Sequence, residues 1–294
     1  MLRVSSVNRT FGDRRVLDDI SFEVTPGRMT GFVGANGAGK TTSMRIILGL
    51  LAADSGEVTW RGGPITRTVR QRFGYMPEER GLYPKMKVRE QLTYLGRLYG
   101  LSPADARRSV DELLERLDLT ERADDLLETL SLGNQQRAQV AAALVHGPEL
   151  LILDEPFSGL DPIAVDVVAG VLRERAADGV PVLFSSHQLD VVERLCDDLV
   201  IIAAGAVRAT GSRTDLRSRY AAPRYELVVD GDAGWVRDLP GVSIVDLDGA
   251  RVVLELTDPA DDQRVLHAAL DRGPVRAFAP VVPSLAQIFR EVTQ

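Results

Sequence analysis

Over roughly the first 210 residues, short apolar and β-branched runs alternate with stretches whose apolar positions recur at helical spacing. That alternation predicts an α/β domain with a mainly parallel sheet. The predicted strands are Leu2–Val7, Ile20–Val24, Met29–Val33, Glu57–Trp60, Leu150–Leu153, Val182–Ser185 and Leu199–Ile202. Leu150–Leu153 and Val182–Ser185 are apolar or nearly so, as strands covered on both faces are. In Pro103–Asp118, Val110, Leu113, Leu114 and Leu117 fall at helical spacing with charges between them, which predicts an amphipathic surface helix.

After Gly211 the texture changes. Ser212–Tyr220 is polar and basic, and a second run of alternating elements begins at Pro223. The pattern predicts a strand at Tyr225–Val229, a short helix, strands at Val242–Val245 and Val252–Leu256, a helix at Pro259–Leu270, a strand at Val275–Ala279 and a last helix at Leu285–Val292. From Tyr220 onward there are 7 Arg against 12 Asp and Glu, so this segment carries most of the chain's net charge of −7. It reads as a small acidic α+β domain over residues 220–294, without a catalytic constellation, following a larger domain over 1–215.

The composition, 45% hydrophobic and 26% charged over 294 residues, is that of a globular chain with a sizeable core. The longest apolar stretch, Leu199–Val207, is far short of the roughly 20 residues a membrane-spanning helix needs. The N-terminal MLRVSSVNRTF lacks the apolar core of a secretory signal, and Cys196 is the only cysteine. A cytoplasmic location is the expectation. The acidic balance argues against a general nucleic-acid binder. Lysine occurs only at positions 40, 85 and 87, which singles out Lys40 inside a glycine-rich loop.

Gly34-Ala-Asn-Gly-Ala-Gly-Lys-Thr41 matches the phosphate-binding loop G-x-x-x-x-G-K-[ST], between the predicted strand Met29–Val33 and a predicted helix over Thr42–Leu50. Glycines 34, 37 and 39 let successive backbone N–H groups turn toward phosphate oxygens, and the helix adds its positive end. Lys40 is the candidate for the β- and γ-phosphates, and Thr41 is a candidate Mg²⁺ ligand. The second constellation is Leu150-Leu-Ile-Leu-Asp154-Glu155-Pro156, a buried strand delivering two carboxylates at its C-terminal end, where open α/β sheets bind ligands. Asp154 is placed to hold Mg²⁺ through its water shell. Glu155 is placed to orient or deprotonate the water that attacks the γ-phosphate.

These two motifs describe a P-loop NTPase, and the residues between and after them resemble the ABC ATPase family. Leu130-Ser-Leu-Gly-Asn-Gln-Gln-Arg137 resembles its signature sequence, Ser158-Gly-Leu-Asp161 its D-loop, and His187 stands where the family has its switch histidine. Phe11 stands where the family stacks an aromatic on adenine. The resemblance covers roughly residues 1–210 and implies a helical subdomain at about 85–145. It implies ATP and Mg²⁺ as cofactors, with Phe11, Gly34, Asn36, Gly37, Ala38, Gly39, Lys40, Thr41 and Thr42 at the nucleotide. It assigns catalysis to Glu155 and His187, and Mg²⁺ to Thr41, Glu78 and Asp154. Ser131, Gly133 and Asn134 would contact ATP across a head-to-tail homodimer, with Asp161 in the D-loop.

The sequence departs from the family pattern with Leu132 in place of Gly, Asn134 in place of Gln, and Glu78 at the Q-loop position usually held by Gln. These departures bear on the rate of hydrolysis. The block Gly74–Val88 is similar to that of the subgroup powering drug-resistance and sodium-efflux exporters, and the C-terminal domain resembles the accessory domain of such subunits. The resemblance implies a transporter ATPase, peripheral on the inner face of the membrane. It would bind a separate transmembrane permease near Glu79–Lys87 through Leu82, Tyr83 and Met86, and bind no nucleic acid. Two alternatives stay open: a soluble ABC ATPase acting on the ribosome or nucleic acid, and a weakly hydrolysing regulatory module.

Overall fold

In a computed structural model, which describes residues 1–79 and 81–293, the chain opens with two antiparallel strands, β1 (Leu2–Phe11) and β2 (Arg14–Val24). It continues through β3 (Met29–Val33), α1 (Lys40–Ile47), β4 (Ser55–Trp60), β5 (Gly63–Pro64), α2 (Arg67–Arg70) and β6 (Phe73–Met76). Next come α3 (Val88–Leu98), α4 (Pro103–Arg116), α5 (Leu132–Leu144), β7 (Leu150–Leu153) and α6 (Pro162–Ala177). The elements β8 (Val182–Ser186), α7 (Leu189–Leu195), β9 (Asp198–Ala203) and β10 (Ala206–Ser212) follow.

These strands form two sheets. Five run parallel in the order β9-β3-β8-β7-β6, with β10 added antiparallel at the edge beside β9. Strands β3, β7 and β8 are buried at every position, as continuous apolar strands in a parallel sheet must be. Beside this mainly parallel sheet stands a second one that the strand pattern did not reveal, antiparallel in the order β2-β1-β4-β5. Its first strand alternates buried Leu2 and Val4 with exposed Arg3, so only one face has a core to meet. The two sheets share that core. Phe22 of β2 lies 5.1 Å from Phe32 of β3, and Trp60 of β4 meets Phe73 of β6 edge-on at 5.3 Å.

Helix α4 follows its sequence pattern. Ser102 caps its first turn by accepting from Asp105 N–H, Pro103 stands where no N–H is needed, and Ala106, Val110, Leu113 and Leu114 form the buried face. Arg137 of α5 closes the C-terminal end of α4 by donating to the carbonyls of Leu117 and Asp118.

The chain forms two units, Met1–Arg213 and Thr214–Val292. The second holds most of α8 (Arg213–Arg219), then β11 (Arg224–Val229), β12 (Val242–Asp248), β13 (Arg251–Leu256), α9 (Asp262–Leu270), β14 (Val275–Pro280) and α10 (Leu285–Thr293). Its four strands are all antiparallel, in the order β12-β13-β11-β14, around a core containing Leu227, Val236, Val252, Leu254 and Val265. The short helix expected after β11 is a 3-10 turn at Gly234–Asp238. The helix expected from Pro259 begins at Asp262, because Pro259–Asp261 is a 3-10 turn capped by the Asp258 carboxylate.

Candidate functional site

The loop between β3 and α1 is shaped by close backbone approach. Gly34 sits where a Cβ would come within 2.5 Å of the Ile202 carbonyl oxygen, so no larger residue fits there. Gly39 holds φ +110° at the N-cap of α1, and a Cβ there would meet Leu17 Cδ2 at 2.5 Å. Lys40 is buried, and its Nζ donates to the carbonyls of Gly34 at 2.7 Å and Ala35 at 3.3 Å, which fixes the amine under the crown of the loop. The first turn of α1 therefore points its unpaired N–H groups and positive end into the space the loop encloses.

That space is a cavity of about 470 Å³ lined by Phe11, Arg14, Val16, Asn36, Gly37, Gly39, Lys40, Thr41, Thr42, Glu78, Asp154 and Glu155. Residues far apart in sequence are thus brought together, including the aromatic at the end of β1, the loop and the acidic pair. Gly34 and Ala38 are buried within the loop itself. Phe11 is 46% exposed at the cavity wall, with the Arg9 guanidinium over its ring 4.7 Å from the ring centre. Arg14 and Val16 were not among the residues singled out from sequence. The only signal for Arg14 was a basic pair following the Phe11-Gly-Asp turn.

Asp154 and Glu155 follow β7 and are both buried. Ser185 of β8 joins them: its hydroxyl donates to Asp154 Oδ1 at 2.5 Å and accepts from Glu155 N–H at 2.8 Å. Asp154 Oδ2 is buried without a hydrogen-bond partner. An acceptor-only oxygen left in that state, at the wall of a cavity, suits a hard cation or its water shell. Among the described residues no cluster of three or more His, Cys, Asp or Glu is arranged around a metal. A cation here would therefore share its remaining ligands with phosphate oxygens, as Mg²⁺ does.

Glu155 adopts φ +53°, a left-handed conformation costing a non-glycine residue about 1–2 kcal/mol. Its backbone is tied down on both sides. The N–H meets Ser185, and the carbonyl accepts from Gln136 Nε2 at 2.9 Å and from Ser158 N–H at 3.1 Å. The side chain lies against His187, with Nδ1 3.0 Å from Oε2, and His187 is about half exposed.

The structure does not bring the signature residues into this cavity. Ser131 is exposed and caps α5 by accepting from Asn134 N–H at 3.3 Å, and the Asn134 side chain accepts from Arg137 within the same helix. Gly133 would meet Leu160 Cδ2 at 3.6 Å if it carried a Cβ, an ordinary contact. Asp161 caps α6 by accepting from Ala164 N–H at 2.8 Å. These residues stand on two exposed helix N-termini outside the lining.

The sequence profile described as "ABC transporter" matches residues 17–158, and that described as the C-terminal domain of DrrA1-3-like ATP-binding proteins matches residues 211–293. An uncharacterised ABC transporter ATP-binding protein of Bacillus subtilis, YhaQ, is 38% identical over 291 residues, covering 99% of this chain and 98% of its own. The chain belongs to the family of ABC transporter ATP-binding proteins. The ABC subunit is also similar to the Nod factor export ATP-binding protein I of Rhizobium etli, 33% identical over 98% of this chain and 92% of the relative. A solved ATP-binding subunit of an ABC transporter superposes with a TM-score of 0.70 at 34% identity, covering 75% of this chain and 93% of that one. The ABC subunit is accordingly an ATP-binding protein, and ATP hydrolysis coupled to transport is the activity of its family. No helix among the described residues is long and apolar enough to cross a membrane.

Proposed function

We propose that this subunit works as a head-to-tail homodimer that hydrolyses ATP to drive a separate membrane-spanning permease, in the direction of export. The observation that carries this reading is the division of the motifs. The cavity is lined by the phosphate loop, Glu78, Asp154 and Glu155, while Ser131, Gly133, Asn134 and Asp161 stand outside it at two helix starts, with Ser131 and Asp161 exposed. A second copy facing the first supplies that other half to each ATP. The exposed apolar side chains Leu132 and Ile163, 58% and 79% accessible beside those two helix starts, gain cover in such a dimer.

Within the site, Phe11 stacks the adenine and the loop from Gly34 to Thr42 cradles the phosphates. Thr41, Asp154 and Glu78 would hold Mg²⁺, which when bound would neutralise phosphate charge during transfer. Glu155, fixed at its backbone, takes the proton of the attacking water, and His187 sets the orientation of that carboxylate. The segment Glu79–Lys87 is the permease contact, with Arg80 outside the described residues. Tyr83 is 58% exposed while Leu82 and Met86 are half-buried, and the Gln91 side chain holds the Tyr83 backbone in place. Export agrees with the Nod factor relative, and attachment to the inner face of the membrane follows from the permease.

The test is to recover a tagged Glu155→Gln chain from membranes in the presence of ATP. A multi-helix membrane protein is expected with it, together with ATP-dependent dimers. Turnover is expected to fall about a hundredfold to ten-thousandfold, the usual contribution of a general base. Recovery of the chain alone, or of ribosomes, overturns the permease assignment.

A further inference from the structure

Helix α5 carries two glutamines one turn apart, Gln136 and Gln139, and both side chains are buried, at 9% and 4% exposure. Residues at i and i+3 share a helix face, so the two amides project from α5 together. Gln136 Nε2 donates to the carbonyl of Glu155 at 2.9 Å. Gln139 Nε2 donates to the carbonyls of Pro77 at 2.8 Å and Glu79 at 3.1 Å, one on each side of Glu78. Each amide is therefore spent on the backbone of a segment that delivers an acidic side chain to the nucleotide cavity.

Neither segment holds its shape by regular secondary structure. Glu155 is in the left-handed region after β7 ends, and Glu78 lies in the loop after β6. For Glu155, the Gln136 amide is one of three hydrogen bonds that pay the conformational cost. For Glu78, the bifurcated donation from Gln139 bridges the backbone on either side of the carboxylate. Helix α5 in turn is capped by Ser131, the residue at its exposed end. One rigid element therefore runs from the signature end of the chain to the backbone under both carboxylates.

We infer that Gln136 and Gln139 are positioning residues that fix Glu155 and Glu78 to helix α5, so that movement of the helix's signature end resets both carboxylates in its own chain. The inference rests on the proposed role of Glu155 in hydrolysis and on the proposed dimer. It gives the signature helix a second task besides meeting the partner's ATP. Engagement of its N-terminus is passed, through two amide side chains in its first two turns, to the nucleotide site of its own chain.

The experiment compares the full-length parent chain with Gln136→Met, Gln139→Met and Glu155→Gln in steady-state ATP turnover, nucleotide binding and thermal denaturation. Methionine keeps the length of glutamine but cannot donate. The expected result for each Met variant is a fall in kcat of about tenfold to a hundredfold, the scale of a misplaced catalytic group. Nucleotide affinity and KM should stay within about twofold of the parent, because the phosphate loop is untouched. Gln136→Glu adds a readout that a merely structural residue does not give. A protonated glutamic acid can donate to the Glu155 carbonyl and a carboxylate cannot, so the ratio of variant to parent turnover should rise as pH falls. This variant also serves if a Met variant does not fold. Parent-like kcat in both folded Met variants, with Glu155→Gln inactive, overturns the inference and leaves the general base in place. A flat Gln136→Glu ratio likewise overturns it for Gln136. Parent-like turnover in Glu155→Gln removes the base assignment and the inference with it.

Discussion

Ser185 Oγ both donates to Asp154 Oδ1 and accepts from Glu155 N–H, so losing one hydroxyl disturbs two residues of the site at once. In Ser185→Ala the buried Glu155 N–H is left without a partner, an expected loss of about 1–3 kcal/mol in stability. Because Glu155 then relaxes from its left-handed conformation, kcat should fall about tenfold while KM for ATP changes little. Turnover and thermal denaturation measured on one preparation check both halves. Arg14 makes a different kind of contribution, as an exposed cation lining the cavity where the proposed ATP would place its phosphates. Arg14→Ala should weaken ATP binding by about twofold to fivefold, with the difference shrinking as salt is raised. That Lys40, Asp154 and Glu155 belong together could be read from the sequence, because the glycine-rich loop and the strand-ending acidic pair are each written in one continuous run, and the fold places all three at one cavity. The places of Ser185, Arg14, Gln136 and Gln139 could not, because only the fold brings each of them beside the acidic pair, the Glu78 loop or the cavity.

At the scale of elements, the join between α5 and the sheet contains a titratable group. His146 follows α5, stacks on Tyr99 at the end of α3 with ring centres 3.7 Å apart, and its Nε2 donates to the Phe73 carbonyl of β6 at 3.2 Å. Its Nδ1 is buried with no partner, so a second proton would leave a charged donor unpaired, and burial pushes the pKa down to about 4. The unfolded chain therefore binds this proton first. The stability it supports is whole above about pH 6.5 and is lost as pH falls toward 4, by up to about 3 kcal/mol. In His146→Phe, which keeps the stack, the stability advantage of the parent should shrink over that interval. Denaturation midpoints of both chains from pH 7 to pH 4 test this, and parallel curves would contradict it. The apolar strands β3, β7 and β8 could be read from the sequence, since continuous burial demands continuous apolar character. Strand β6 could not, because Phe73-Gly-Tyr-Met is short and glycine-broken. Strand β10 was missed because Ala206–Ser212 carries too little apolar character to mark an edge strand. The separate antiparallel sheet was missed for another reason: strand runs alone do not say which strands pair.

For the molecule as a whole, the single thiol offers a reporter of how firmly the N-terminal unit holds together. Cys196 is buried at the end of α7, and its Sγ packs on Gly31 of β3, the strand that leads into the phosphate loop. Burial, reinforced by the carboxylate of Asp197, pushes the thiol's pKa well above its ordinary value, so little reactive thiolate exists in the folded chain. Modification by an aromatic disulfide reagent then requires opening of the sheet around β3 and β9. The nucleotide cavity is built on that same sheet, so a ligand that binds only the closed form must hold the thiol back. With ATP and Mg²⁺ at about 100 times the dissociation constant, the opened fraction falls about a hundredfold, equivalent to about 2.7 kcal/mol. In the Glu155→Gln chain, which keeps its ligand, the rate of thiol modification should fall by that factor, and removing Mg²⁺ should restore part of it. An equal rate with and without nucleotide would mean that Cys196 is reached by a local opening of α7 that leaves the phosphate loop intact. In that case α7 would move independently of the strand beneath it, and so would the His187 side chain just before it.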